Sequence, residues 1–183
     1  MRVFQKGFNF SQDGPGNRLV IHLQGCNFSC PWCSNPEGMT LKGEKCEEIS
    51  VDSLFEYIMR SSLLFFDGGG VTFTGGECTV QHDELLQILK RLKESGINTA
   101  VETNASDPAL SELLPYIDYF IADIKQPDNE IHKKYTGVSN ETVLKNITEI
   151  LNSGRQVHLR IPLINGFNTD PKPFVEFFLR YPT

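Results

Sequence analysis

Short strand-forming runs alternating with amphipathic helical stretches constrain this chain more than any other feature. Strands are predicted over residues 18–24, 70–74, 97–102, 119–124 and 157–164. Between them, Ser50 is placed to cap a helix from residue 51 to about residue 66. Residues 81–95 carry Leu85, Leu89 and Leu92 on one helical face, with Gly96 beyond the last turn. Asp107 and Pro108 read as the cap and first position of another helix, and residues 139–152 as a helix closed by Gly154. Asp170 and Pro171 open a last helix expected to reach Arg180. Five strands in this rhythm imply right-handed βαβ units and a parallel α/β sheet, either open or curved as part of a barrel. In both arrangements ligands gather at the carboxyl ends of the strands.

Composition narrows the setting. A chain of 183 residues suits one domain, residues 1–183, around one core. Hydrophobic residues at 39% and charged residues at 22% match a soluble globular protein. A net charge of −6 excludes a broad basic footprint for nucleic acid. No apolar run approaches the roughly 20 residues needed to span a bilayer, and residues 1–10 lack the core and cleavage site of a secretory signal. The expected location is cytoplasmic and the expected state monomeric. In that compartment the five cysteines are expected to be ligands or free thiols rather than disulfides. Because no strand follows the last predicted helix, the natural chain is expected to continue beyond Thr183.

The first predicted strand runs into Gly25-Cys26-Asn27-Phe28-Ser29-Cys30-Pro31-Trp32-Cys33. Three thiolates spaced C-x3-C-x2-C can converge on one iron–sulfur cube and leave its fourth iron open to a small molecule. Zinc is the alternative, with Cys46 or His22 as a fourth ligand. Unligated cysteines are the remaining reading. Further polar motifs fall at the other strand ends: Gly75-Gly76-Glu77, Glu102-Thr103-Asn104, Asp123-Ile124-Lys125 and Arg160. Taken alone, each has a plainer reading, as a turn, a strand-end cap or an ion pair. Lys125 could pair with Asp123 or Glu102, and Arg160 needs a carboxylate such as Glu102 or Asp123 if its strand is buried. Asp13-Gly14-Pro15-Gly16, ahead of the first strand, reads by itself as a turn.

Together these motifs resemble the radical S-adenosylmethionine superfamily, and within it the glycyl-radical-enzyme activating enzymes of the pyruvate formate-lyase type. The triplet with aromatic Trp32 before its third cysteine is similar to the superfamily signature. The resemblance implies a partial (β/α)6 TIM-like barrel. It also implies a 4Fe–4S cluster held by Cys26, Cys30 and Cys33, whose open iron is chelated by the amino and carboxylate groups of S-adenosylmethionine. Electron transfer then breaks the sulfonium, giving methionine and a 5′-deoxyadenosyl radical. Trp32, Gly75, Gly76, Glu77, Glu102, Asp123, Lys125 and Arg160 are implied as contacts of that cofactor, with Glu77 facing its amino group. Glu102 and Asp123 are also implied as holders of a monovalent cation, although Glu102 stands where the family commonly has Asp and Ala105 where it commonly has Gly. Asp13 belongs to a loop that in the family lies where a glycine loop of the protein substrate enters.

The implied partners are a glycyl radical enzyme and an electron donor, flavodoxin or ferredoxin. The family's final strand, with Leu-Pro-Tyr-His, has no counterpart here, and the cluster-bearing insertion of many activating enzymes is absent. Two other readings remain: a radical S-adenosylmethionine enzyme acting on a small molecule or peptide, and a non-catalytic zinc- or cluster-binding module. Asn35, His132 and the stretch 135–140 also resemble the activating enzymes but receive no role. Cys46 and Cys78 are left outside the triplet, and Cys78 is expected to be a neutral thiol near the site.

Overall fold

The computed structural model describes residues 1–44 and 46–179. Its seven strands form one sheet, in the order β3-β1-β2-β4-β5-β6-β7. Five of them are the predicted parallel strands: β2 (Asn17–Leu23), β4 (Gly70–Gly75), β5 (Thr99–Thr103), β6 (Tyr119–Asp123) and β7 (Gln156–Arg160). The sheet does not close on itself, so the architecture is a partial α/β barrel.

β1 (Arg2–Phe10) was not anticipated. It pairs antiparallel with β2 through a hairpin whose loop contains Asp13-Gly14-Pro15-Gly16. Its alternating pattern is blurred by a register shift between Val3 and Gln5. The two-residue β3 (Glu47–Glu48) covers only the start of β1.

The helices are α1 (Val51–Ser61), α2 (His82–Glu94), α3 (Asn129–Thr136), α4 (Glu141–Asn152) and α5 (Lys172–Phe178). Ser50 caps α1 as expected, its Oγ accepting from Ser53 N at 3.1 Å. The helix stops earlier than predicted. Ser61 and Ser62 turn their hydroxyls onto the carbonyls of Tyr57 and Met59, and a 3₁₀ turn follows to Leu64. No α-helix forms after Asp107-Pro108. Asp107 Oδ1 accepts from Ala109 N instead, and two 3₁₀ turns follow, Leu110–Glu112 and Leu114–Tyr116. Pro115 supplies no donor there, which keeps the segment from propagating as a helix. β7 ends at Arg160 rather than residue 164, before a Pro162 that cannot donate to a ladder. It is also an edge strand with half-exposed residues, not the buried strand expected around Arg160. The predicted end of the last helix at Arg180 lies outside the described residues.

The two-residue period of the strands divides the molecule. Leu19, Ile21 and Leu23 of β2, Val71 and Phe73 of β4 and Val101 of β5 are buried in one cluster with Leu54 and Ile58 of α1 and Leu85, Leu89 and Leu92 of α2. The alternate residues look the other way. In register, Glu102 lies beside Ile121 and Ile121 beside His158, while Asp123 lies beside Arg160. That second face, at the carboxyl ends, carries the polar groups.

Arg18 anchors the opposite end of the sheet. It is fully buried, with Nε donating to Thr72 Oγ1 at 2.7 Å, Nη2 to Val71 O at 2.8 Å and Nη1 to Asn98 Oδ1 at 2.9 Å. Burial lowers its pKa to about 10, which still leaves it charged at neutral pH.

Candidate active site

β2 delivers the chain to the cysteine loop, and the loop is buttressed by the turn after β4. Gly75 takes φ +125°, where a side chain would meet Leu23 O at 2.3 Å. A Cβ on Gly76 would stand 2.4 Å from both Gly25 O and Gly38 O. Only glycines allow this approach. It brings Gly76 N to Leu23 O at 3.0 Å and Glu77 N to Gly25 O at 2.8 Å. Gly25 N and Cys26 N in turn donate to Gly38 O and Met39 O. Asn35, just past the third cysteine, reaches Gly75 O at 3.5 Å.

Glu77 lies against the cleft but is 1% exposed, and its carboxylate is enclosed by donors. Oε1 accepts from Thr79 N (3.1 Å), Thr79 Oγ1 (2.7 Å) and Thr103 Oγ1 (2.7 Å), and Oε2 from Asn104 N (2.6 Å). Burial pushes this carboxyl above the usual range, and the donors pull against it. The side chain thus staples the end of β4 to the end of β5. Asn104 continues the chain of contacts, its Nδ2 donating to Asn27 Oδ1 within the cysteine loop at 3.1 Å.

Across the cleft stand two ion pairs. Arg160 Nη1 donates to Glu102 Oε1 at 2.8 Å, and Lys125 Nζ to Asp123 Oδ2 at 2.9 Å. Burial raises the Glu102 pKa to about 7; Arg160 opposes the rise, while Asp123 and Asp13 add to it. For Lys125, burial works against the ammonium, but Asp123 outweighs it and the pKa rises.

All of these residues border one cleft of about 660 Å³: Cys26, Cys30, Cys33 and Trp32 on one side, then Gly75, Gly76 and Glu77, and across from them Glu102, Asp123, Lys125 and Arg160. Asp13 does not join them. Its carboxylate is taken by Asn9 Nδ2 at 2.5 Å in the hairpin loop. That loop borders a second cavity of about 170 Å³, lined also by Tyr119 and Ile121. Arg160 and His158 border both cavities, and Arg160 Nη2 donates to Gln12 O of the loop at 2.7 Å. His158 was missed in the sequence, although it stands two residues before Arg160 and so shares its face. Thr103, read only as part of its strand-end motif, and Asn27 received no role of their own because their contacts join segments distant in sequence.

The three cysteines all border the cleft and are the residues that could hold a cluster. Among the described residues no three or more His, Cys, Asp or Glu side chains converge on one metal position. Thiolates that bond to separate irons of a cube need not converge so closely. Neither His22 nor Cys46, the candidate fourth ligands for zinc, lines the cleft. Burial raises the Cys26 pKa to about 11 and pushes Cys30 up as well, so binding of any metal or cluster as thiolates would displace their protons. Cys78 is buried, its thiol directed at Glu102 O at 3.4 Å, and burial holds it protonated.

A model of the Radical SAM superfamily matches residues 20–178. The chain is 33% identical to the 4-hydroxyphenylacetate decarboxylase activating enzyme of Clostridioides difficile, over 85% of this chain and 70% of that protein. It is 34% identical to the pyruvate formate-lyase-activating enzyme of Streptococcus mutans, over 85% of this chain and 62% of that protein. A solved domain of pyruvate-formate lyase-activating enzyme from Bacteroides vulgatus shares 36% identity over 60% of this chain and 71% of its own, with a TM-score of 0.53. The chain belongs to the radical SAM superfamily, among its activating enzymes.

Proposed function

We propose that this chain installs the radical of a partner glycyl radical enzyme by removing a hydrogen from a glycine Cα. The observation that carries the reading is the single cleft. It gathers three cysteines, a Gly-Gly-Glu turn and two carboxylate–cation pairs from five strand ends. Family membership implies a 4Fe–4S cluster and S-adenosylmethionine. When bound, they supply the reductive cleavage that yields a 5′-deoxyadenosyl radical.

The chain's own residues bind and orient. Cys26, Cys30 and Cys33 are read as the cluster ligands, with Trp32 as an apolar wall beside them. The carbonyls of Gly75 and Gly76 are suited to a methionyl ammonium, a donor-only group. Glu77 holds that turn in place through its bonds from Thr79, Thr103 and Asn104. Arg160 and Lys125 supply cationic donors for the methionyl carboxylate, and Glu102 and Asp123 keep them aimed until it arrives. Those two carboxylates are the candidate holders of a monovalent cation, but each already faces a side-chain cation, and they fit that ion poorly.

Asp13 and its loop are read as bordering the approach of the partner's glycine. The whole chain is read as one domain and as a monomer, working in the cytoplasm with a flavodoxin or ferredoxin as electron donor. Among the described residues no helix is long and apolar enough to cross a membrane.

Anaerobic reconstitution with iron and sulfide tests the reading. Reduction in the presence of S-adenosylmethionine should shift the cluster's EPR signal and yield 5′-deoxyadenosine. Adding a cognate glycyl radical enzyme should produce a glycyl doublet. A loaded protein that forms 5′-deoxyadenosine but gives no doublet with any co-encoded partner would leave the family intact and remove the proposed substrate.

A further inference from the structure

Helix α3 lies outside the cleft wall, yet one of its faces is given over to the cysteine loop. His132, Tyr135 and Thr136 are three and four residues apart and share that face. Each meets a residue that stands between two of the cysteines. The His132 ring meets Phe28 edge-on, 5.3 Å between centroids. The Thr136 carbonyl accepts from Ser29 N at 2.9 Å and from Ser29 Oγ at 3.1 Å. The Tyr135 ring lies 5.9 Å from that of Trp32, and both pack on Phe167, at 4.8 and 4.3 Å. The remaining face carries Glu130, Lys133 and Lys134, all exposed.

The helix is itself held firmly. Asp128 Oδ1 accepts from Ile131 N at 2.9 Å at its start. Gly137 ends it at φ +83°, where a methyl group would stand 3.1 Å from Ser29 Oγ. Asn140 Nδ2 ties the following turn to the carbonyls of Gln126 and Pro127. His132 is buried, and its Nδ1 donates to Val138 O at 2.7 Å. Its Nε2 is buried without a partner among the described residues, so the ring serves by packing on Phe28.

We infer that α3 is a template for the cysteine loop, its His132, Tyr135 and Thr136 face setting the conformation of Phe28, Ser29 and Trp32 before any cluster binds. These are positioning residues: they act on the thiols through the residues between them. Order imposed beforehand need not be imposed when iron arrives, which favours uptake and retention. The consequence for iron rests on the reading of the cysteines as cluster ligands; the conformational claim does not.

Trp32 is the single tryptophan of the chain, so its fluorescence reports this contact in the cluster-free protein. Tyr135→Ala and His132→Leu should red-shift its emission, quicken acrylamide quenching and speed alkylation of the loop thiols. Tyr135→Phe, which keeps the ring, should match the wild type, as should the surface control Lys133→Ala. Circular dichroism identifies any variant that fails to fold; Tyr135 is only half buried, and the Tyr135→Ala and Tyr135→Phe pair decides if His132→Leu does not. After reconstitution, Tyr135→Ala should lose iron to a chelator about tenfold faster, with Tyr135→Phe restoring retention. Wild-type fluorescence and thiol reactivity in folded Tyr135→Ala would overturn the template. If the wild type takes up no iron, the cluster reading fails, while fluorescence and alkylation still decide the role of α3.

Discussion

Glu77 and Glu102 are both carboxylates at strand ends, the first buried and the second half-buried, and their surroundings give them different behaviour. Glu77 accepts from two backbone N–H groups and two hydroxyls, with the Cys78 thiol farther off at 3.9 Å, so it is held by donors that belong to the fold. Glu77→Gln would turn an amide donor toward groups that also donate. Its expected cost is about 2 kcal/mol, read as a lower urea midpoint with an unchanged m value. Glu102 has one cation, Arg160, set against burial and two other carboxylates, and its pKa rises from 4.5 to about 7. The native state therefore holds this proton more tightly than the unfolded chain, so Glu102 makes stability fall as pH rises from about 4.5 to about 7. In Glu102→Gln that part of the slope should vanish, which thermal melts across this range would measure. The sequence pointed to both residues through their motifs. It left open whether Arg160 would pair with Glu102 or Asp123, because that choice depends on the register of β5, β6 and β7.

The turn that follows β4 shows how much one element can carry. Gly76 sits where three backbone segments meet, and a methyl group would lie 2.4 Å from two carbonyl oxygens, neither on a flexible side chain. Gly76→Ala should therefore displace the cysteine loop. The expected outcome is iron content well below wild type after reconstitution, with far-UV circular dichroism retained because the helix–sheet core lies on the other face. The glycines here were legible as a turn with close backbone approach, since that is a local property. Other elements were less legible. Asp107-Pro108 carried a good helix-start pattern, but the 3₁₀ turns at Leu110–Glu112 and Leu114–Tyr116 took its place. β1 was missed because its exposed aromatic residues, Phe8 and Phe10, belong to neither a clean alternation nor a buried run. α3 was missed because its eight residues are mostly polar and its apolar value lies in one contact face.

At the scale of the whole molecule, the strand residues of the core and those of the site use opposite faces of one sheet, while the cysteine loop packs against the edge of the core. Cys30 belongs to the buried cluster and Cys26 packs against it, but the bulk of that cluster is large side chains such as Phe73, Phe120, Leu85 and Leu89, beside which one thiol is small. Loss of a ligand should thus remove function without removing the fold. Cys30→Ala is expected to keep the circular dichroism spectrum and the cluster-free melting temperature within a few degrees. It should fail to retain a 4Fe–4S cluster and produce no 5′-deoxyadenosine, as iron analysis and product assay would show. By itself the sequence determined the α/β class, the five parallel strands and the ends at which chemistry would gather. Period, caps and glycine turns act over a few residues and can be read where they stand. Only the tertiary structure decided that Arg160 pairs with Glu102, that the Glu77 carboxylate closes on Thr103 and Asn104, and that α3 lies against the cysteine loop. Those contacts join residues from about 25 to more than 100 positions apart, and they exist only once the register of the strands has brought distant segments to the same end of the sheet.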